Sequence, residues 1–255
     1  FDVVDWLLPP QGWTMTAATA GATLDTVEGR TFLGDIYRQA EPDYQGSVTV
    51  PVLYDKSEKT IVNNESSHIL RFLNSEFQEY ATNKKLDLYP VELRGQIDAV
   101  NEWVYPWINN GVYRSGFARS QPAYDAAVRD VFRGLEKVES ILSKNRYLLG
   151  ETFTEADLRL WTTLIRFDSV YATHFKCNLK RLVDYPHTWA YTRELYSYEA
   201  FRATTNQEHI RCHYYISHES INPFRILPIG FDVNYEEPHH REALPGTPIP
   251  GIIVK

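Results

Sequence analysis

The sequence predicts an α/β lobe, an all-α lobe behind it, and an extended tail. Three observations carry this. Short β-branched runs punctuated by turn residues share residues 1–80 with helical segments, apolar residues then recur at helical spacing across residues 91–221, and residues 222–255 are Pro-rich. With 255 residues and 43% hydrophobic content, the chain can bury a sizeable core and is long enough for two domains.

The elements follow in order. "FDVVDWLL" has the apolar density of a buried strand over residues 3–8, closed by Pro9-Pro10 and Gly12. A short helix is expected near residues 31–39. Residues 48–53 and 60–62 read as paired strands across the turn Asp55-Lys56-Ser57-Glu58, and residues 65–74 carry helical spacing at Ile69, Leu70, Phe72 and Leu73. The all-α part opens with a helix through Trp103 and Trp107, kinked at Pro106 because proline cannot donate to the helix ladder. Residues 121–144 form a long amphipathic helix on Ala127, Val128, Val131, Phe132, Leu135, Val138, Ile141 and Leu142. "FTEADLRLW" spells a capping box, Thr154 with Asp157 three residues on. Pro186 starts a helix through Phe201, and Asn206 caps one carrying His209 to Tyr215.

The formal charge of −7, with no Lys/Arg-rich run, argues against nucleic acid as a partner. No apolar stretch approaches the roughly 20 residues that span a bilayer, and residues 1–10 lack the basic start of a signal peptide, so neither membrane insertion nor secretion is expected. Two cysteines, Cys177 and Cys212, suit a reducing compartment: the cytoplasm or an organellar matrix such as the mitochondrial one.

The stretch "VTVPVLYDKSEKTIVNNESSHILRFL", residues 48–73, carries the chemistry. A helix start presents unpaired N–H groups and partial positive charge, which welcome a carboxylate. Ser66 adds a hydroxyl and Glu65 an acceptor for an ammonium, so the pair can hold both charges of an amino-acid terminus. A cis bond at Val50-Pro51 would leave the Val50 backbone free for an extended peptide. The bland alternative is that Asn64, Glu65 and Ser66 only cap a helix and Pro51 only sits on a sheet edge. His209, Cys212, His213 and His218 have a spacing that metal ligation could use, but no metal is expected.

An α/β lobe with Val-Pro, then Glu-Ser at a helix start, then an all-α lobe with a Thr-x-x-Asp box resembles a glutathione transferase. More specifically, "VTVPVLYDK", "NNES", "NNGVYRSGFA", "RFDSVYATHFKCN", "DYP", "HYYISH" and "NP" resemble the glutathionyl-hydroquinone reductases, the xi-class transferases, in family order from about residue 12 to residue 241. The resemblance implies a thioredoxin-like N-terminal domain and an all-α glutathione-transferase C-terminal domain. It implies a glutathione site of Trp13, the Val50 backbone with Pro51, Glu65 and Ser66. It further implies Tyr113 as proton donor, with Tyr171 and Tyr214 lining a quinol pocket. In the family a low-pKa cysteine thiolate attacks the sulfur of a glutathionyl-hydroquinone, the quinol carbon is protonated, and a second glutathione releases the enzyme as oxidised glutathione. The resemblance also implies dimerisation through the helical lobe.

Two departures stand out. The family's nucleophile lies in a Cys-Pro-Trp-Ala unit, a strand and helix that would come before Phe1, and neither Cys177 nor Cys212 matches it. In a thioredoxin-type sheet that strand lies between those matched by residues 3–8 and 48–53, so either the unit exists outside this sequence or another chain or a rearranged sheet fills its place. Ser47 stands where the family usually has an arginine that helps bind glutathione. Two functions are therefore weighed: a glutathione-dependent reductase of glutathionyl-hydroquinones, and a catalytically silent structural subunit of a larger assembly.

Overall fold

The computed structural model describes residues 1–231 and 233–254; residues 232 and 255, both in the expected tail, lie outside the described residues. The chain divides into two compact units, one of residues 1–80 with 206–227, the other of residues 81–205 with 228–255.

The first unit holds helix α1 (Leu33–Ala40), strands β1 (Leu53–Asp55) and β2 (Thr60–Asn63), helix α2 (Ser66–Ser75) and helix α9 (Gln207–Ser217). β1 and β2 pair antiparallel across the predicted turn, where the Asp55 carboxylate accepts from the Ser57 and Glu58 amides at 2.8 and 2.9 Å. Leu33, Ile36 and Tyr37 of α1 bury against Val4, Trp13, Tyr44, Val48, Val52, Tyr54 and Ile61. The residues that looked apolar in sequence therefore do meet, in a small core.

Residues 3–8 do not form the expected strand. Their backbone is held by loop contacts instead: Val3 N–H donates to Thr23 Oγ1 at 2.8 Å, Asp5 N–H to Thr14 O at 2.8 Å, and Leu8 N–H to Ser217 Oγ at 3.0 Å. Residues 48–52 are likewise extended without a ladder, and strand pairing starts only at Leu53. Both segments have strand-like composition, but a strand is defined by a laddered partner, and among the described residues none forms a ladder with them.

The second unit is helical: α3 (Arg94–Val104), α4 (Gly111–Gly116), α5 (Gln121–Leu142), α6 (Glu155–Arg166), α7 (Pro186–Ser197) and α8 (Glu199–Ala203). The kink expected at Pro106 is a π-type turn over Tyr105–Asn109, where the Asn110 amide reaches back to Tyr105 O at 2.8 Å. α5 starts on Ser120, whose Oγ accepts from the Ala123 amide at 3.4 Å, and turns Val131, Leu135, Val138 and Leu142 fully inward. α7 opens at Pro186 as predicted, with the Glu139 carboxylate accepting from the His187 and Thr188 amides at 3.0 and 2.7 Å. It does not continue to Phe201. Tyr198 is extended and bridges to Val254, so α7 stops at Ser197 and α8 begins one residue later.

α9 falls in the all-α span of 91–221 by sequence, yet it is compact with the N-terminal unit. The reason is local: Trp6 O accepts from Ser217 Oγ at 3.0 Å and lies 2.9 Å from His213 Nδ1. A carbonyl can only accept, so His213 carries its proton on Nδ1. Among the described residues, no helix is long and apolar enough to cross a membrane.

Candidate functional site

The first unit gathers the residues expected to hold a peptide. Val50-Pro51 is cis, Val50 is 43% exposed, and among the described residues its amide and carbonyl have no protein partner. At the start of α2, Glu65 is the N-cap: its carboxylate accepts from the Ser67 amide at 3.3 Å and from Ser67 Oγ at 3.2 Å. Capping therefore is one of its roles. Both Glu65 and Ser66 stay exposed, so the cap leaves the helix start open to a ligand. Asn64 does not cap; its Nδ2 donates to Tyr37 Oη at 3.1 Å and to Thr49 Oγ1 at 3.2 Å, tying the helix start to the loop before Pro51.

Trp13 stacks on His213, ring centroids 4.9 Å apart at 29°. The next residue, Tyr214, is 6% exposed and sits edge-on to the rings of His213 and His218, each at 5.3 Å. Trp13 and Tyr214, distant in sequence, thus flank one histidine. Nothing in the sequence reading marked His213 as the link, because stacking across about 200 residues leaves no local pattern. Among the described residues no group of three or more His, Cys, Asp or Glu side chains could hold a metal ion.

In the second unit, Tyr113 on α4 and Tyr171 at the end of the π-turn Phe167–Tyr171 come together, centroids 6.1 Å apart. Phe175 lies against both, at 5.3 Å from Tyr113 and stacked at 5.4 Å and 17° on Tyr171. Gly116 permits this: a Cβ there would lie 2.1 Å from Phe175 Cδ1. Tyr171 is buried, whereas Tyr113 is 37% exposed. A cavity of about 420 Å³ in the same unit is lined by Arg193, Tyr196, Arg202, Tyr235 and His239 among others, and by none of the candidate residues.

Neither cysteine has the environment of an attacking thiolate. Cys177 is fully buried, and burial pushes its thiol up to about 12 although Ser115 pulls the other way; Cys212 is also buried and its thiol is raised by that burial. Ser47, in the place of the family's arginine, is exposed, and its carbonyl accepts from Tyr44 Oη at 2.8 Å.

Comparison with known proteins identifies the family. Residues 121–194 match the family model described as the glutathione S-transferase C-terminal domain. The chain is 48% identical over 241 residues to the glutathionyl-hydroquinone reductase YqjG of Escherichia coli, covering 94% of this chain and 73% of that protein. It is 42% identical over 253 residues to the glutathionyl-hydroquinone reductase PcpF of Sphingobium chlorophenolicum, covering 99% and 76%. The glutathione-bound structure of the E. coli protein superposes with a TM-score of 0.93 over 95% of this chain and 78% of that one, at 48% identity. A xi-class glutathione transferase from Natrialba magadii gives 0.94 over 96% and 77%, at 43% identity. The fold is that of a glutathione transferase, thioredoxin-like at its N-terminal end and all-helical at its C-terminal end. The chain belongs to the glutathionyl-hydroquinone reductase family of xi-class glutathione transferases.

Proposed function

We propose that the protein is a glutathione-dependent reductase of glutathionyl-hydroquinones. The observation that carries this is the open start of α2 at Glu65 and Ser66, tied through Asn64 and Thr49 to the exposed Val50, in a chain 48% identical to a protein named for that reaction. In this proposal Ser66 and the first amides of α2 take the γ-glutamyl carboxylate and Glu65 its ammonium. The Val50 amide and carbonyl pair with the cysteinyl backbone of glutathione, and Trp13 packs beside it. These groups fit the γ-glutamyl end and the cysteinyl backbone of the tripeptide chemically, since each of those polar groups meets one of opposite capacity.

The reaction breaks a carbon–sulfur bond. A thiolate attacks the glutathionyl sulfur, a disulfide forms, and the ring carbon takes a proton. The family resemblance assigns delivery of that proton to Tyr113 and the quinol hydroxyls to Tyr171 and Tyr214. A second glutathione thiolate then attacks the disulfide and leaves as oxidised glutathione. The buried, raised thiols of Cys177 and Cys212 do not suit the attacking role, which the family resemblance assigns to a Cys-Pro-Trp-Ala unit outside these 255 residues. The alternative of a silent structural subunit draws no support from the relatives above, which are named as reductases or transferases.

Turnover of glutathionyl-menadiol with glutathione, followed by chromatography on the native full-length protein, tests the proposal. Release of menadiol with oxidised glutathione is expected. No turnover by a native protein whose intact mass includes a Cys-Pro-Trp-Ala segment would sink it.

A further inference from the structure

Two segments of the first unit supply the proposed glutathione contacts, and one phenol joins them. Tyr37, on α1, is 4% exposed and packs in the small core beside Leu33 and Ile36. Its hydroxyl donates to Thr49 O at 2.8 Å and accepts from the Thr49 amide at 3.3 Å and from Asn64 Nδ2 at 3.1 Å. A phenol hydroxyl has one proton to give and two lone pairs to receive, so these three bonds use it fully. Thr49 is the residue before Val50, and Asn64 is the residue before Glu65. Asn64 closes the triangle by donating also to Thr49 Oγ1 at 3.2 Å.

We propose that Tyr37 is a positioning residue for glutathione: its hydroxyl sets the spacing between the Val50 backbone and the Glu65–Ser66 helix start. This rests on the glutathione site proposed above. A tripeptide held at its γ-glutamyl end and again at its cysteinyl amide pays for any error in the distance between the two handles, because only one can then be engaged at full strength. Neither segment fixes that distance alone. The Leu53–Asn63 pairing of β1 with β2 and the Asn64–Thr49 bond join the two segments, but residues 48–52 pair with no described strand and Asn64 and Glu65 are exposed, so holding the two handles at one spacing calls for a rigid element as well. Tyr37 meets this need because its ring is anchored in the core while its hydroxyl reaches the loops.

Tyr37→Phe keeps the ring and removes only the hydroxyl. Thr49 and Asn64 are exposed, so water can replace their lost bonds and the fold should melt close to wild type. Glutathione binding measured by calorimetry on the full chain should weaken about 3- to 10-fold, as expected for losing one well-made hydrogen-bond node. In the turnover assay the loss should fall on KM for glutathione, with kcat changed less than about twofold. Tyr44→Phe is the control: its ring lies 5.0 Å from that of Tyr37, and its hydroxyl donates to Ser47 O rather than to either handle. It should leave the affinity within about twofold.

A wild-type affinity in Tyr37→Phe overturns the inference, as does equal weakening in both variants, which would mean general loosening of the core. Amide hydrogen exchange at Thr49 and Ser66 separates this from the parent proposal. A wild-type protein that binds no glutathione, yet whose amides exchange more slowly than those of Tyr37→Phe, retains the tie but overturns its role in binding and the glutathione site together.

Discussion

Ser66 presents an exposed hydroxyl where the partial positive charge of α2 is concentrated, so a carboxylate arriving there gains both a hydrogen bond and the field of the helix. Ser66→Ala should weaken glutathione binding roughly tenfold, as calorimetry would read it, because the lost bond is to a charged acceptor. Equal affinity would mean that α2 is only capped, with Glu65 serving Ser67 and nothing else. At Tyr113 the expectation has the opposite kinetic signature. Its ring is steadied by Tyr171 and Phe175 while more than a third of the residue is exposed, a suitable setting for a proton donor. Tyr113→Phe should lower kcat about 100-fold with little change in KM, and a variant with normal kcat would remove the tyrosine from the proton step. Ser66 and Tyr113 are both candidates that the sequence offers, through the helix-start signature and the family resemblance. Tyr37 was not, since one of 17 tyrosines differs from the others only by what two loops bring to its hydroxyl.

The capping box of α6 illustrates an element that sequence located but did not exhaust. As expected, Asp157 accepts from the Thr154 amide at 2.9 Å and from Thr154 Oγ1 at 3.2 Å through one oxygen. The other oxygen accepts from the Leu148 amide at 2.9 Å and from Tyr191 Oη at 2.8 Å, so the box also clamps the preceding loop and α7. Burial pushes this carboxyl up to about 6, although all four of these hydrogen bonds pull it down. A folded-state value above the unfolded one means that its contribution is fully present below about 3.8 and is lost as pH rises through about 6. The stability difference between wild type and Asp157→Asn should therefore shift by about 2 kcal/mol against wild type between pH 4 and pH 7. Urea denaturation of both proteins at the two pH values checks this; a shift in favour of wild type would mean the four donors outweigh burial.

For the molecule as a whole, the segment that sequence called an extended tail proves to be anchored at one buried cation. Arg241, 3% exposed, donates to Glu194 Oε2 at 3.1 Å and to the carbonyls of Leu142, Asn145, Arg146 and His187 at 2.7 to 3.3 Å. All five of its N–H groups are thereby used. Arg146 bonds the other oxygen of Glu194 at 2.6 Å, so the end of α5, the loop after it, α7 and the tail converge on one carboxylate. Arg241→Met should cost about 3 kcal/mol in urea denaturation and should open residues 228–254 to proteolysis before the helices. Intact resistance to protease would mean that the Val254 bridge and the Asn83 bond to Pro250 O suffice to hold the tail. Self-association is also expected at this scale, through the helical body; light scattering that gives a single-chain mass would end that expectation.

By itself, the sequence determined where most helices lie, the Thr154–Asp157 box, the Asn206 cap, the β1–β2 turn and, through its motifs, the family, because the local features are written in spacing that a few neighbouring residues satisfy among themselves. Only the tertiary structure decided which segments with strand composition become strands, that α9 packs with the N-terminal unit, and which polar side chains link distant segments. A strand needs a partner at hydrogen-bonding distance, His213 needs Trp6 and Trp13, and Arg241 needs four carbonyls from elsewhere in the chain. Such requirements are met in space, and no local pattern of residues records them.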